Sequence, residues 1–337
     1  MSSTLFAEEE RLRKIDKHKD PLLQLDQHID FRAIATEVDH LCPRPSRSKG
    51  GRAPFPTELM VRILVIKSLW NLSDEQLEYQ LLDRASFQRF TSLQNSARIP
   101  DAKTIWAFSE RLSQAGAADV IFGDLNRQRY KAGYWSRGGQ IVDATIVPTP
   151  IQRNTKEENT RIKQGDVPDD WQQNKRRQKD TDARWTKKHG KSYFGYKASV
   201  NVDKRCKLIR KIHVSDAGEG DQRHLAMILD PMNTNRDLYA DRGYTMTEQI
   251  AEQDVRDCIQ RRGQKAHPLN ARQKQRNKHL AKTRARVEHV FGAMEQMGGK
   301  WVRCIGLKRA DFAIKMKASV YNMRRLVCLK GGVLDPF

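Results

Sequence analysis

At residue 136 the chain changes period, and that change bounds what it can fold into. The segment GGQIVDATIVPT alternates apolar and polar positions and is rich in β-branched residues, the pattern of a strand with one buried face. Upstream, residues 56–130 carry helical patterns instead. TELMVRILVIKSLW is apolar nearly all round, so it is expected to be buried, with Thr57 as its candidate cap. Ser73 and Gln76 have capping-box spacing ahead of EQLEYQLLDR. SFQRFTSL follows, and Asp101 is a candidate cap for KTIWAFSERLSQAG. Short helices joined by tight polar turns fit a helix-turn-helix-like module or a plain helical scaffold, and no recognition helix stands out.

Beyond the first strand, residues 152–191 hold 12 Lys or Arg against 7 Asp or Glu and read as a long polar connection. YFGYKASVNV and KLIRKIHVSD read as strands two and three, joined by a hairpin turn at VDKRC. A helix around QRHLAMILDPM, a strand at RDLYAD, a helix at TMTEQIAEQ and a strand at RDCIQR follow, then a last long helix from about 271 to 297. Three antiparallel strands, then helix, strand, helix, strand, helix, make an α/β domain with a mixed five-stranded sheet. The ribonuclease-H-like fold has this order of elements. The expected division is an all-α domain over residues 1–135, ending its first part in the linker CPRPSRSKGGRAP. An α/β domain over 136–330 follows, with a polar insertion at about 150–191.

Charge narrows the function. The 337 residues carry a net charge of +21, which predicts a polyanionic partner, nucleic acid before a membrane surface. No apolar run approaches the roughly 18 residues of a membrane span, and no amphipathic basic helix stands out. The first residues, MSSTLFAEEERLRK, show no signal-peptide core, so a cytoplasmic protein is expected. The five cysteines are scattered without a CxxC pair and read as reduced thiols, neither a zinc site nor a disulfide frame. No P-loop is present, so no nucleotide cofactor is expected. The positive charge is concentrated late in the chain. From Ile259 to Val287 there are ten Lys or Arg, two His and no acid. Glu288 ends that run, beside Arg284, Arg286 and His289.

Three acids need explaining. Asp143 lies inside the first strand, where Asp is disfavoured and a lone buried carboxylate is costly. Asp241 ends the fourth strand in YADRGY, the strand end at which open α/β sheets build their sites, although a turn acid is the plainer reading. Glu288 borders the apolar stripe of Leu280, Val287, Phe291, Met294 and Met297, which aims it near the sheet; an ion pair with Arg284 one turn back is the plainer reading. If strands one and four are neighbours, Asp143 and Asp241 meet at one edge and the last helix brings in Glu288. Three such carboxylates repel unless a cation balances them. Hard oxygen ligands suit Mg²⁺ or Mn²⁺, and two ions about 4 Å apart would clamp the attacking and leaving oxygens of a phosphodiester.

VDATIVPTPIQRNTKEEN, QKDTDARWTKKHGKSYFGYK, YADRGY and RARVEHVFG together resemble bacterial insertion-sequence transposases. More narrowly, they resemble the DDE transposases of insertion sequence family five. PFPTELMVRIL and IPDAKTIWAFSERL resemble the helical N-terminal domain of that family, so the resemblance runs along nearly the whole chain. It implies that Asp143, Asp241 and Glu288 are a metal-binding catalytic triad. It also implies that the N-terminal domain helps recognise terminal inverted repeats, and that a homodimer synapses two ends of double-stranded DNA. The protein would then work on the bacterial nucleoid. Related transposases carry a Tyr-Arg-Glu-Lys signature around the third acid. Arg284 and Glu288 fit it, but the Tyr position is Ala281 and the Lys position is Glu295. Lys282, Arg286 and Lys300 are the candidate substitutes for the missing Lys, and Glu295 is a rival third ligand.

The mechanism so implied cuts the element ends with metal-activated water, frees a 3′-hydroxyl and lets it attack a target strand, without a covalent protein intermediate. Arg242, Arg284, Arg286, Lys187, Lys188, Lys191 and Lys197 are the expected DNA contacts. Trp135, Trp171, Trp185 and Trp301 are candidates for stacking on a flipped base. His189 and His224 read as structural or phosphate-contacting, since a metal-bound water needs no histidine base. A hydrolytic nuclease on the same fold would use the same acids. A non-catalytic repressor or relic of the element is the alternative from another class, against which the three intact acids argue.

Overall fold

The computed structural model describes residues 7–43, 50, 53–135, 137–233 and 235–331, and most of the expected linker lies outside them. The chain divides into two compact units, residues 1–133 with 319–337 and residues 134–318.

The first unit is helical. Its helices are α1 (Ala7–Lys17), α2 (Pro21–His28), α3 (Phe31–Leu41), α4 (Thr57–Trp70), α5 (Asp74–Asp83), α6 (Ala85–Phe90), α7 (Ala102–Gln114) and α8 (Ala117–Lys131). α4 is the central helix its sequence announces, with Val61, Ile63, Val65 and Ile66 fully buried. Arg62 is its polar exception. Its guanidinium pairs with Asp26 at 2.6 Å and Glu58 at 2.9 Å and lies over the rings of Phe31 and Phe90. The Ser73–Gln76 capping box forms in full, and Asp101 caps α7 by accepting from the Thr104 N–H at 2.7 Å. Thr57 does not cap α4. It is the first helical residue, Pro56 holds the cap position, and the Thr57 hydroxyl donates to Asp39 at 2.5 Å instead.

The second unit is α/β. Its elements are β1 (Gln140–Pro148), α9 (Lys156–Lys163), α10 (Gln173–Gln178), β2 (Arg184–Lys188), β3 (Lys191–Asp203), β4 (Ile209–Asp216), α11 (Leu225–Ile228), β5 (Asp237–Ala240), α12 (Glu248–Ala251), β6 (Arg256–Ile259), α13 (Ala271–Arg284) and α14 (Arg286–Gln296). The last helix, α15 (Leu307–Leu329), begins in this unit, and its residues from 319 on belong to the first. The sheet has six strands rather than five, in the path β2-β3-β1-β5-β6 with β4 also on β3. The additional strand is β2. Most of its side chains face solvent, so RWTKK lacks the apolar alternation that marks a strand. β1 is central, antiparallel to β3 and parallel to β5.

The insertion is ordered. A Thr155–Glu158 capping box starts α9. Trp171 is buried and its indole N–H donates to Glu158 at 2.7 Å. Asp180 accepts from the Tyr196 hydroxyl and from the amides of Asp182 and Ala183, fastening the insertion to β3.

The expected single helix over 271–297 is two helices, interrupted at Ala285. The arginines on either side of Ala285 are anchored to different parts of the sheet. Arg284 binds Asp143 of β1, and Arg286 Nη1 donates to the Lys204 carbonyl at 2.9 Å. Upstream, Arg276 donates to the carbonyls of Asp257 and Ile259, tying α13 to β6. α15 was not anticipated, because Lys and Arg interrupt its apolar residues throughout. No helix among the described residues is long and apolar enough to cross a membrane.

Candidate active site

β1 and β5 bring two acids level. Gln140 pairs with Leu238 and Ile141 with Tyr239, and the same offset carried on by two residues sets Asp143 level with Asp241. Side chains alternate along a strand. Val142 therefore packs into the apolar layer with Leu238, Ala240 and Tyr244, while Asp143 turns to the opposite face, where Arg284 meets it.

The Asp143 side chain is only 14% exposed. Its Oδ1 accepts from the Ala144 amide at 2.9 Å, and its Oδ2 lies 2.5 Å from Arg284 Nη1. Burial pushes this carboxyl up to about 6. The Arg284 charge and the Ala144 amide hold it down in part, and the charges of Asp241 and Glu288 add to the rise. Asp241 follows β5 directly and accepts from the Gly243 amide at 2.7 Å, so it is also a turn acid. A Cβ at position 243 would stand 2.9 Å from Asp241 Oδ1, so a larger residue there would displace the Asp241 carboxylate from this position. The next residue, Tyr244, is buried and its hydroxyl has no hydrogen-bond partner among the described residues. Burial, with the nearby charges of Asp221, Asp143 and Asp241, raises that phenol far above its ordinary value.

Glu288 stands in the first turn of α14, where the helix dipole favours an acid. Its side chain is 59% exposed and lies 3.5 Å from Arg284 Nη1. All three acids line one cleft of about 660 Å³, together with Lys188, His189, Arg242, Lys278, Arg284 and Lys300.

Among the described residues no three His, Cys, Asp or Glu side chains stand close enough together to hold a metal ion. The donor chemistry nevertheless suits a hard divalent cation. The candidate donors are oxygen only, and burial, with a smaller contribution from the charges of Asp241 and Glu288, lifts the Asp143 carboxyl. The balancing charge between Asp143 and Glu288 is the Arg284 guanidinium.

The expected DNA contacts divide. Arg242, Arg284 and Lys188 line the cleft; Lys187 and Lys191 are exposed beside it on β2 and β3. Arg286 is occupied with the Lys204 carbonyl outside the cleft. Lys197 is buried, bonded to the Glu219 carbonyl and paired with Asp221 at 2.7 Å, so it pins a turn rather than facing a ligand. Trp171 is enclosed, whereas Trp135, Trp185 and Trp301 are exposed. His224 is buried with Nε2 2.7 Å from Glu219 Oε2.

Lys300 lines the cleft and Glu295 does not; Lys300 Nζ lies 2.5 Å from Glu295 Oε2. Lys278 and Asn277 also line the cleft and were not singled out from the sequence. A signal existed for them. Stepping back from Glu288 by helical intervals of three and four reaches Arg284, Ala281 and then Asn277 and Lys278, one continuous face.

Two family models match the chain. The one described as Transposase DDE domain matches residues 134–323, and the one described as Transposase domain (DUF772) matches residues 9–111. No solved structure matches.

Proposed function

The chain belongs to the transposase DDE domain family and is a DNA transposase, and we propose that Asp143, Asp241 and Glu288 are its catalytic acids. The observation that carries this reading is the β1–β5 register, which brings a strand-buried Asp level with a strand-end Asp across from a glutamate on the packed helix. Transposases of this family generally use divalent metal ions. Asp143, Asp241 and Glu288 would hold them here, as two Mg²⁺ or Mn²⁺. When bound, such ions supply an activated nucleophile and charge neutralisation at the phosphoryl group.

The remaining cleft residues bind and orient DNA. Arg242, Lys188, Lys278 and Lys300 supply cations for the phosphates flanking the cut. Arg284, which is paired with Asp143 and Glu288, would serve a phosphate where bound cations balance those acids. The reaction hydrolyses a phosphodiester at the element end to free a 3′-hydroxyl, which then attacks a target phosphodiester, forming one new phosphodiester as the target strand's own 3′-hydroxyl leaves, with no nucleotide cofactor. The helical domain, residues 1–135, recognises the terminal inverted repeats, and a homodimer synapses the two ends. On the motif resemblance we read the element as one of insertion sequence family five, acting on the chromosome in the bacterial cytoplasm.

The test uses duplex DNA carrying the element's own terminal repeat. Asp143→Ala, Asp241→Ala and Glu288→Ala should each keep end binding and lose Mg²⁺-dependent cleavage. Cleavage retained in Glu288→Ala and lost in Glu295→Ala would overturn the third assignment. Joining of pre-cut ends to a target duplex separates a transposase from a hydrolytic nuclease.

A further inference from the structure

β2 and β3 are joined over two residues, His189 and Gly190, between the paired Lys188 and Lys191. Both have left-handed φ, 50° and 80°. A two-residue hairpin turn with φ positive at both positions follows the twist of its strands and ordinarily carries Asn or Asp, then Gly. Histidine is among the few other side chains enriched in that region. The turn therefore holds an imidazole at the hairpin tip where Asn would suit the backbone better.

That tip belongs to the cleft. Lys188 and His189 line it together with Asp143, Asp241 and Glu288. Among the described residues, the side chains of Lys188, His189 and Lys191 have no hydrogen-bond or ion-pair partner. In the same cleft, Arg284 is the cation paired with Asp143 and Glu288, and Asp241 has only a backbone amide. The cationic and hydrogen-bonding groups of the hairpin tip and the three carboxylates thus form separate parts of one cleft lining, with none of the former paired to the latter. The gap of about 660 Å³ has room for a nucleotide. An object that satisfies both parts is a phosphodiester, whose oxygens take hydrogen bonds from one and, through bound cations, meet the acids of the other.

We propose that the β2–β3 hairpin tip is the second jaw of the active site and that His189 donates an imidazole N–H to a non-bridging oxygen of the phosphodiester being cut. This rests on the reading of the three acids given above. A directional donor fixed at that oxygen counts most where charge builds up as the nucleophile adds. His189 therefore acts on the rate more than on overall affinity, which the surrounding Lys and Arg dominate.

The experiment compares the wild-type chain with His189→Asn and His189→Gly. Both replacements favour the left-handed turn and lack the imidazole. The readouts are single-turnover Mg²⁺-dependent cleavage and equilibrium binding of a terminal-repeat duplex. Both variants should cleave about 100-fold more slowly, the lower end of the range for loss of one fixed donor, with binding within about twofold of wild type. Wild-type rates in both variants would show His189 to be only a turn residue and overturn the proposal. Equal losses of binding and rate would overturn it as well, by making His189 one more affinity contact. A wild-type chain that binds the ends but never cleaves them would sink the catalytic reading and this one with it, whereas normal wild-type cleavage with an unchanged His189→Asn sinks only this one.

Discussion

Arg284 Nη1 stands 2.5 Å from Asp143 Oδ2 and 3.5 Å from Glu288 Oε1, so one guanidinium bridges a strand acid and a helix acid. Removing it from the metal-free protein leaves Asp143, only 14% exposed, beside two like charges. Stripping one partner from a buried pair costs about 3–5 kcal/mol, and the partial exposure of this pair lowers the expectation to about 2 kcal/mol for Arg284→Ala. Asp143→Asn in the same chain should recover most of that loss. Urea unfolding of the two single variants and the double variant measures the coupling, and strictly additive effects would refute it.

Lys300 and Glu295 make a second pair with unequal expected consequences. Lys300→Ala should slow cleavage about tenfold or more, because it removes a charged donor from the cleft. Glu295→Ala should leave cleavage intact, since its main effect is to free Lys300 for a phosphate. A cleavage assay that shows the reverse order would return Glu295 to the list of candidate ligands.

Tyr244 separates ring from hydroxyl. The ring is part of the apolar layer beneath the acids, and the hydroxyl is buried without a partner among the described residues. Tyr244→Phe should therefore be neutral or stabilising by about 1 kcal/mol, because an unpaired buried hydroxyl has given up water for nothing. Tyr244→Ala should cost about 3–5 kcal/mol through the cavity it leaves. Thermal unfolding of both variants decides the matter.

Glu158 supplies a pH signature for the insertion. Hydrogen bonds from Lys175, the Thr155 amide and the Trp171 indole hold its carboxyl down at about 2. A carboxyl held lower in the folded than in the unfolded chain stabilises the fold above its unfolded value, about 4.3, and that stabilisation fades as pH falls toward 2. Wild type should be more stable than Glu158→Gln near neutral pH, and the gap should close between pH 4.5 and 2. A gap independent of pH would mean that the carboxylate charge is irrelevant.

The basic surface predicts a salt response. With several phosphates neutralised, binding to a terminal-repeat duplex should weaken by about a thousandfold between roughly 50 and 200 mM salt. A shallow slope in a titration over that range would count against a broad phosphate footprint.

The fold class was readable because periodicity is a local property. β1 showed itself by alternation, and α4 by being apolar all round with burial to match. Asp143 was conspicuous for the same reason, as a carboxylate in a pattern that otherwise asks for apolar residues. β2 stayed hidden because an exposed edge strand has no inward stripe to write into the sequence. Thr57 went astray because a distant acid, Asp39, competes for its hydroxyl, and no local rule contains that partner. Lys197 could not be told from Lys188 by composition. Both lie on paired strands, but one points to Asp221 and is enclosed, and the other stands beside a hairpin turn and lines the cleft. The sequence alone thus determined the fold class and most of the element order, and it singled out the three acids and the excess of positive charge as candidates, since each depends on residue type and near neighbours. Tertiary structure decided that Asp143 and Asp241 share a register, that Lys300 lines the cleft and residue 295 does not, and that His189 lines the same cleft as the acids. Those are distances between segments far apart in the chain, set by strand pairing and helix packing.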